Sequence, residues 1–346
     1  MSCRRRIFLT LNLNWSNGIV INTRDVVIRF DPQTKNNLNA LNFFSHSHQD
    51  HIGGLNIKAD NYMTPGTKDI LFFRENNGSD YFKPLKYGDK TRIGDLEIIA
   101  HNAGHILGSA QYEIKSPNTT IVYTGDINFR DMLTTQAAEA IPCDVLIIET
   151  TYGSPGYVFP SFGKTCIEII NWTLSCFKAG VLPIFVVYST GKAQELVKIF
   201  NELTTIPVLV HPTVAKVNQA YEKNGIKLMY TCSESEDGRE MLFSNHCVLI
   251  APNQCKSFPS QSYSLATATG WVLKYRSNKF DGAFPLSGHA DFRQLLDYVE
   301  QVQPKQVFTV HGNRLVFAQY LSSKLGLTAR PITSFKQKPL QEYFYF

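Results

Sequence analysis

The run His46-Ser47-His48-Gln49-Asp50-His51 sets three imidazoles and one carboxylate within six residues. It follows an apolar segment, Leu41-Asn42-Phe43-Phe44, that reads as a strand. Residues two apart in an extended chain point the same way, so His46 and His48 can converge on one ion. Asp50 and His51 come where the chain should turn towards a helix, at Ile52-Gly53-Gly54-Leu55, and can reach a second ion close by. Neutral imidazole and carboxylate suit zinc, with manganese and iron as competitors. Such a centre activates water for hydrolysis.

A surface histidine cluster would not explain the residues further along the chain. Asp31 ends the apolar run Val26–Phe30, Asp126 follows the strand-like Thr120–Thr124, and Glu149 ends Val145–Ile148. His105 lies in Ala103-Gly104-His105-Ile106-Leu107-Gly108-Ser109, and His289 in Ser287-Gly288-His289-Ala290-Asp291. His311 closes Gln306–Val310 just before Gly312. Six of the nine histidines therefore stand after apolar runs or in glycine-containing turns. Those are the places where strand ends deliver side chains to one edge of a sheet. His101, His211 and His246 match no such context and read as structural or surface residues, and Trp271 reads as a core residue.

The elements that must hold these residues fall into two kinds. Residues 7–150 alternate short β-rich runs with turns: 18–21, 26–30, 41–44, 96–100, 111–114, 120–123 and 145–148. After about residue 155 the spacing of Ile167, Ile170, Trp172 and Leu174 predicts a helix over 165–177. An apolar strand at 183–188, a helix over 191–203, a strand at 208–210, a helix over 213–224 and a strand at 248–250 follow. Strand–helix alternation of this kind implies a small parallel α/β domain.

The order Asp31, His46-x-His48-x-Asp50-His51, His105, Asp126 resembles the metallo-β-lactamase superfamily. Glu149, His289 and His311 match the three extra motifs of its β-CASP nuclease branch. Glu149–Gly153, Gly191–Leu196 and Ser287–Asp291 are most similar to the RNA 3′-end-processing group. The resemblance covers nearly the whole chain and implies an α/β fold, an αββα sandwich carrying an inserted parallel α/β β-CASP domain. The implied division is 1–154 and 284–346 for the sandwich and 155–283 for the insertion, which is short for this branch. It implies two zinc ions, with manganese able to substitute. His46, His48 and His105 hold the first, Asp50, His51 and His311 the second, and Asp126 bridges them. Asp31 then orients a ligand, and His289, held by Glu149, serves as the general acid. Ser189, Thr190, Gly191 and Lys192 at a helix start, with Ser287 and Gly288, are candidates for backbone phosphates. Gly163-Lys164-Thr165 imitates the end of a P-loop, but Val158 stands where its first glycine belongs.

Composition has a globular balance: 18% charged residues, 43% hydrophobic ones and a net charge of +5 over 346 residues. No run of eighteen apolar residues occurs, so no membrane span is expected. Without a signal peptide, and with seven scattered cysteines, the chain reads as a cytoplasmic protein with reduced thiols. The tail offers Gln337, Leu340, Tyr343 and Phe344 in a spacing that resembles sliding-clamp-docking peptides. Single-stranded RNA is the slightly favoured substrate. A clamp-tethered DNA repair exonuclease and a non-catalytic nucleic-acid scaffold remain open, as does the oligomeric state.

Overall fold

The computed structural model describes residues 12–22, 26–35, 40–55, 59–75, 82–244, 246–255, 262–275 and 277–332. The tail with Gln337, Leu340, Tyr343 and Phe344 lies outside them. Three sheets organise the described residues. The first runs in chain order through β1 (Asn12–Trp15), β2 (Ile19–Asn22), β3 (Val27–Phe30), β4 (Ala40–Phe43), β5 (Asp60–Met63) and β6 (Phe82–Pro84).

The second contains β7 (Lys90–Ile93), β8 (Leu96–Asn102), β9 (Ala110–Lys115), β10 (Thr120–Tyr123), β11 (Val145–Glu149), β18 (Gln306–Val310) and β19 (Thr328–Pro331). Its order is β19-β18-β11-β10-β9-β8-β7. β10, β11, β18 and β19 run parallel, while β7 to β10 pair antiparallel. Residues near the chain's end thus add two strands to a sheet begun before residue 150.

These two sheets pack face to face. Ile28, Phe30 and Phe43 of the first share a core with Tyr112, Ile121, Tyr123, Ile147 and Phe308 of the second. Alternation explains how β10 and β11 are buried on both faces. Ile121, Tyr123, Val145 and Ile147 point into that core, while Val122, Leu146 and Ile148 point the other way. There they meet Leu295, Tyr298 and Val299 of α6 (Phe292–Val302) and Phe317 and Leu321 of α7 (Arg314–Leu325). Beside the first sheet, Leu71 of α1 (Pro65–Glu75) clusters with Phe44, Ile52 and Met63. The layering is αββα.

The third sheet is wholly parallel, in the order β14-β13-β15-β12-β16-β17. Its strands are β12 (Leu182–Val187), β13 (Val208–Val210), β14 (Thr231–Cys232), β15 (Val248–Pro252), β16 (Tyr263–Ala268) and β17 (Gly282–Phe284). α2 (Phe162–Lys178), α3 (Lys192–Leu203) and α4 (Pro212–Lys223) contribute to the core on one face, and α5 (Glu236–Ser244) to that on the other. His211 caps α4, its Nδ1 accepting from Thr213 N at 3.1 Å.

Two local expectations are corrected. Ile52–Leu55 is a turn, not the start of a helix, and the next helix is α1, beyond β5. Two adjacent glycines disfavour helix there, and Gly54 N instead donates to the Pro32 carbonyl. α2 forms, but its buried face is Thr165, Cys166, Ile169, Thr173 and Cys176, leaving Ile167 and Leu174 exposed. The small side chains, spaced three and four apart, define the stripe. Among the described residues no helix is long and apolar enough to cross a membrane.

Candidate active site

The candidate residues meet at the carboxyl ends of strands from both sandwich sheets. Asp31 follows β3, His46 follows β4, Asp126 follows β10, Glu149 ends β11 and His311 follows β18. His105 comes from the β8–β9 connection and His289 from the segment between β17 and α6. The backbone must bend sharply where strands end. Asp31 has φ 46° and His311 φ 57°, both in the left-handed region that non-glycine residues rarely occupy. Gly125 (φ 54°) packs so closely that a Cβ would stand 2.5 Å from Ser45 Cβ.

Three imidazoles converge on one point. His48 Nδ1 lies 3.0 Å from His46 Nε2 and 3.1 Å from His105 Nε2. The opposite nitrogen of each ring is already engaged. His48 Nε2 meets the Thr190 carbonyl at 3.3 Å and His105 Nδ1 the Gly288 carbonyl at 2.7 Å. Carbonyls only accept, so those nitrogens carry the protons. His46 Nδ1 lies 2.9 Å from Ser45 Oγ, whose own hydrogen goes to Asp31 Oδ2. The three facing nitrogens are therefore bare lone pairs. Burial, and then the neighbouring charges, push His46 and His105 well below the ordinary histidine pKa; burial and Lys192 take His48 to about 3. Three neutral rings with lone pairs this close repel one another unless a cation lies between them. The donor set fits a metal.

A second group shares Asp126. Its Oδ2 is 3.5 Å from both His46 Nε2 and His51 Nε2, and 3.7 Å from His105 Nε2. His51, Asp126 and His311 form a further set able to hold an ion, beside that of His46, His48, His105 and Asp126. Asp31 stands behind His51, accepting from its Nδ1 at 2.8 Å, from Tyr123 Oη at 2.8 Å and from Ser45 N at 2.6 Å. Burial works against charge on His51, but Asp126 and Asp31 outweigh it and hold its pKa near 10. That field favours positive charge at Nε2, from a proton or a metal.

Beside these lies the pair His289 and Glu149, with Nδ1 to Oε1 at 2.8 Å. Glu149 is fully buried and also accepts from Ile127 N and Thr151 N. Burial raises the pKa of Glu149, but His289 overcomes this and keeps it below the usual glutamate range. Conversely, Glu149 and Asp126 hold His289 above the ordinary histidine value despite burial. The imidazole is thus poised to carry a proton.

Two placements depart from expectation. Asp50 does not join the second set: its side chain is 77% exposed, and its nearest approach is 3.8 Å to His51 Nε2. The His48–His51 turn, closed by His51 N donating to the His48 carbonyl, leaves Asp50 lining the same cleft, short of the His51, Asp126 and His311 set. At the helix start, the donors expected to be free are partly used. Gly191 is the cap of α3 and its N–H donates to Gln194 Oε1, while Ala193 N donates to the Tyr188 carbonyl. Lys192 still lines the cleft, its Nζ 4.9 Å above the Tyr188 ring, and burial lowers its pKa to about 8. Ser287 Oγ accepts from His289 N, and the Gly288 carbonyl holds His105.

Sequence reasoning missed Ser45, Tyr123 and the Thr190 carbonyl. Of these, Ser45 alone had a signal, its adjacency to His46. The metal groups open into a cleft of about 730 Å³ whose walls include Arg74, Tyr152, Tyr188, Lys192 and Trp271. Trp271, expected in the core, is instead 37% exposed on this wall.

Residues 283–331 match the family model of the Zn-dependent metallo-hydrolase RNA specificity domain. The chain is 30% identical over 342 residues to an RNase J-like protein of Methanocaldococcus jannaschii, covering 78% of this chain and 80% of that one. It is 31% identical over 296 residues to a probable DNA ligase of Opitutus terrae, covering 83% of this chain. It spans 28% of that ligase's length. The crystal structure of a protein of unknown function from Enterococcus faecalis V583 shares the fold, with a TM-score of 0.69 at 16% identity, covering 96% of this chain and 100% of that one.

Proposed function

The chain belongs to the β-CASP branch of the metallo-β-lactamase superfamily, and from that membership we propose that it is a two-zinc nuclease cleaving phosphodiester bonds of single-stranded RNA. One observation carries the reading: three neutral imidazole lone pairs and a shared carboxylate converge beside a histidine hydrogen-bonded to a buried glutamate. His46, His48, His105 and Asp126 would hold one ion, and His51, His311 and Asp126 the other. When bound, the ions lower the pKa of water and neutralise charge on the phosphate.

The chain's own residues do the rest. Asp31, Ser45 and the Thr190 and Gly288 carbonyls fix which nitrogen of each ring faces the centre. Water adds to phosphorus, giving up a proton to solvent, and the bond to the leaving 3′ oxygen breaks. His289, its Nδ1 held by Glu149, hands that oxygen a proton from Nε2, and Glu149 stabilises the charge on the ring beforehand. Lys192 offers an ammonium to a backbone phosphate, and Ser189, Thr190, Ser287 and Gly288 border its path. We divide the chain accordingly: the third sheet with its helices, within 155–283, forms one wall, and 1–154 with 284–346 carries the centre.

The test is cleavage of labelled single-stranded RNA and DNA of one sequence by zinc-reconstituted protein, with His289→Ala and Asp126→Ala beside the wild type. RNA cleavage lost in both variants is the expected result, with a fall of about 10²–10⁴ for His289→Ala. His289→Ala should keep its metal. Preferential DNA cleavage would transfer the reading to DNA as the substrate. No cleavage of either strand by protein with both ions bound would overturn it.

A further inference from the structure

Trp271 stands out among the cleft residues because nothing in the mechanism uses it. It lies on a 3₁₀ turn, Gly270–Leu273, that follows β16. One side of its ring packs on buried aromatics, 5.0 Å from Tyr152 and 5.4 Å from Tyr157 by centroid. Tyr152 in turn meets the His289 ring edge-on at 5.9 Å. Close approach of the turn requires glycine beside Trp271: a Cβ on Gly270 would stand 2.5 Å from Phe159 and 2.6 Å from Tyr152. The indole is therefore held against a fixed base while the rest of it faces the cleft.

Outward from Trp271, the 65% exposed Tyr275 continues the aromatic surface, with centroids 6.1 Å apart. Between them in sequence, Lys274 places Nζ 4.1 Å above the Tyr157 ring. Further along the cleft lining, the 56% exposed Tyr188, which follows β12, stands beside His48, at 6.3 Å between ring centroids. Large exposed aromatics with fixed backing, next to cations and beside a hydrolytic centre, have the chemistry of a base-stacking strip. Bases present a π-face whatever their identity, and exposed rings accept them without a sequence code.

We propose that Trp271, continued by Tyr275, is the platform on which unpaired bases next to the scissile phosphate stack, so that the enzyme grips bases as well as backbone. Single-stranded nucleic acid meets this requirement; a duplex hides its base faces. The proposal rests on the nuclease reading and adds the feature of the substrate that the wall recognises.

The test compares binding of two cleavage-resistant, fluorescein-labelled phosphorothioate strands of equal length, one bearing bases and one abasic, to the full metal-loaded chain by anisotropy. Stacking contributes about 1–3 kcal/mol per base, so the wild type should prefer the base-bearing strand by about tenfold or more. Trp271→Ala should bring the two strands to near equality, while Trp271→Phe should retain most of the preference. Tyr275→Ala, a change on the outer ring, should reduce the preference by a smaller factor. Equal binding of both strands by the wild type overturns the platform, as does a preference left whole in Trp271→Ala and Tyr275→Ala. Equal loss for both strands in Trp271→Ala, with Tyr275→Ala unchanged, overturns it too, because the ring then acts on the fold. RNA cleavage measured in parallel separates the two readings. Cleavage without base preference removes the platform alone, whereas absence of both cleavage and strand binding removes the nuclease reading beneath it.

Discussion

Replacing Asp31 by asparagine should loosen one metal before the other. The Asp31 carboxylate accepts from Ser45 N, Ser45 Oγ, Tyr123 Oη and His51 Nδ1, at 2.5–2.8 Å. A carboxylate can accept all four because it has no hydrogen to misplace. An asparagine amide must turn its NH₂ towards at least one of these buried donors. Its better rotamer keeps oxygen towards His51 and sets NH₂ against Ser45 N. Leaving a buried donor unsatisfied costs about 1–3 kcal/mol, and the remaining bonds lose their ionic reinforcement.

The bond behind His51 persists but loses its ionic character, and disturbing the partner behind a ligating histidine weakens metal binding by up to about 10–100-fold. That loss should fall mainly on the set of His51, Asp126 and His311. His48 and His105 of the other set are oriented by the Thr190 and Gly288 carbonyls, which the change does not touch. The assay is zinc titration against a chelator of known affinity, with bound metal counted at each step and a thermal melt of the metal-free protein alongside. Tyr123→Phe is the control: it removes one of the four donors and leaves the His51 bond, so its zinc affinity should fall by less than about tenfold. Unchanged affinity at both steps in Asp31→Asn, or an equal fall at both, would refute the reasoning.

Gly125→Ala should destabilise the fold by about 2–4 kcal/mol in denaturant unfolding, from a left-handed φ of 54° and a Cβ forced to 2.5 Å from Ser45. A variant as stable as the wild type would show that the strand end relaxes freely. The pair of Asp144 and Lys305 (Oδ1 to Nζ at 2.7 Å) should make stability pH-dependent in a known direction. Burial raises the Asp144 pKa, but Lys305 and the Thr120 N–H outweigh it and set it below the usual 3.8. A carboxylate depressed in the folded state stabilises above its unfolded pKa and loses that contribution as pH falls through its folded one. The wild type should therefore exceed Asp144→Asn by about 1 kcal/mol or less at neutral pH, and the gap should close below pH 3.8. A gap that widens in acid would contradict the assignment.

The sequence alone determined the donors and the elements that carry them. Period-two alternation and strand-end placement are local properties, so Asp31, His46, His48, Asp126, Glu149 and His311 could be read as strand-end residues, but the expected single sheet edge is in fact the meeting of two sheets. The β-rich run Val145–Ile148 is apolar at every position, and the structure buries it between two cores. What the sequence could not determine were contacts between distant segments. His48 owes its tautomer to a carbonyl 142 residues away and His105 to one 183 residues away. A carbonyl looks the same in every residue, so no side-chain pattern marks it. Asp50 shares its motif with three histidines of the cluster, yet its side chain is 77% exposed along the cleft and stops 3.8 Å from His51 Nε2. Trp271 has the composition of a core residue. The packing of Gly270 against Tyr152 and Phe159 decides that only one side of it is covered. Donor chemistry belongs to the residue and travels with the sequence; direction, tautomer and exposure are set by what the folded chain brings against it.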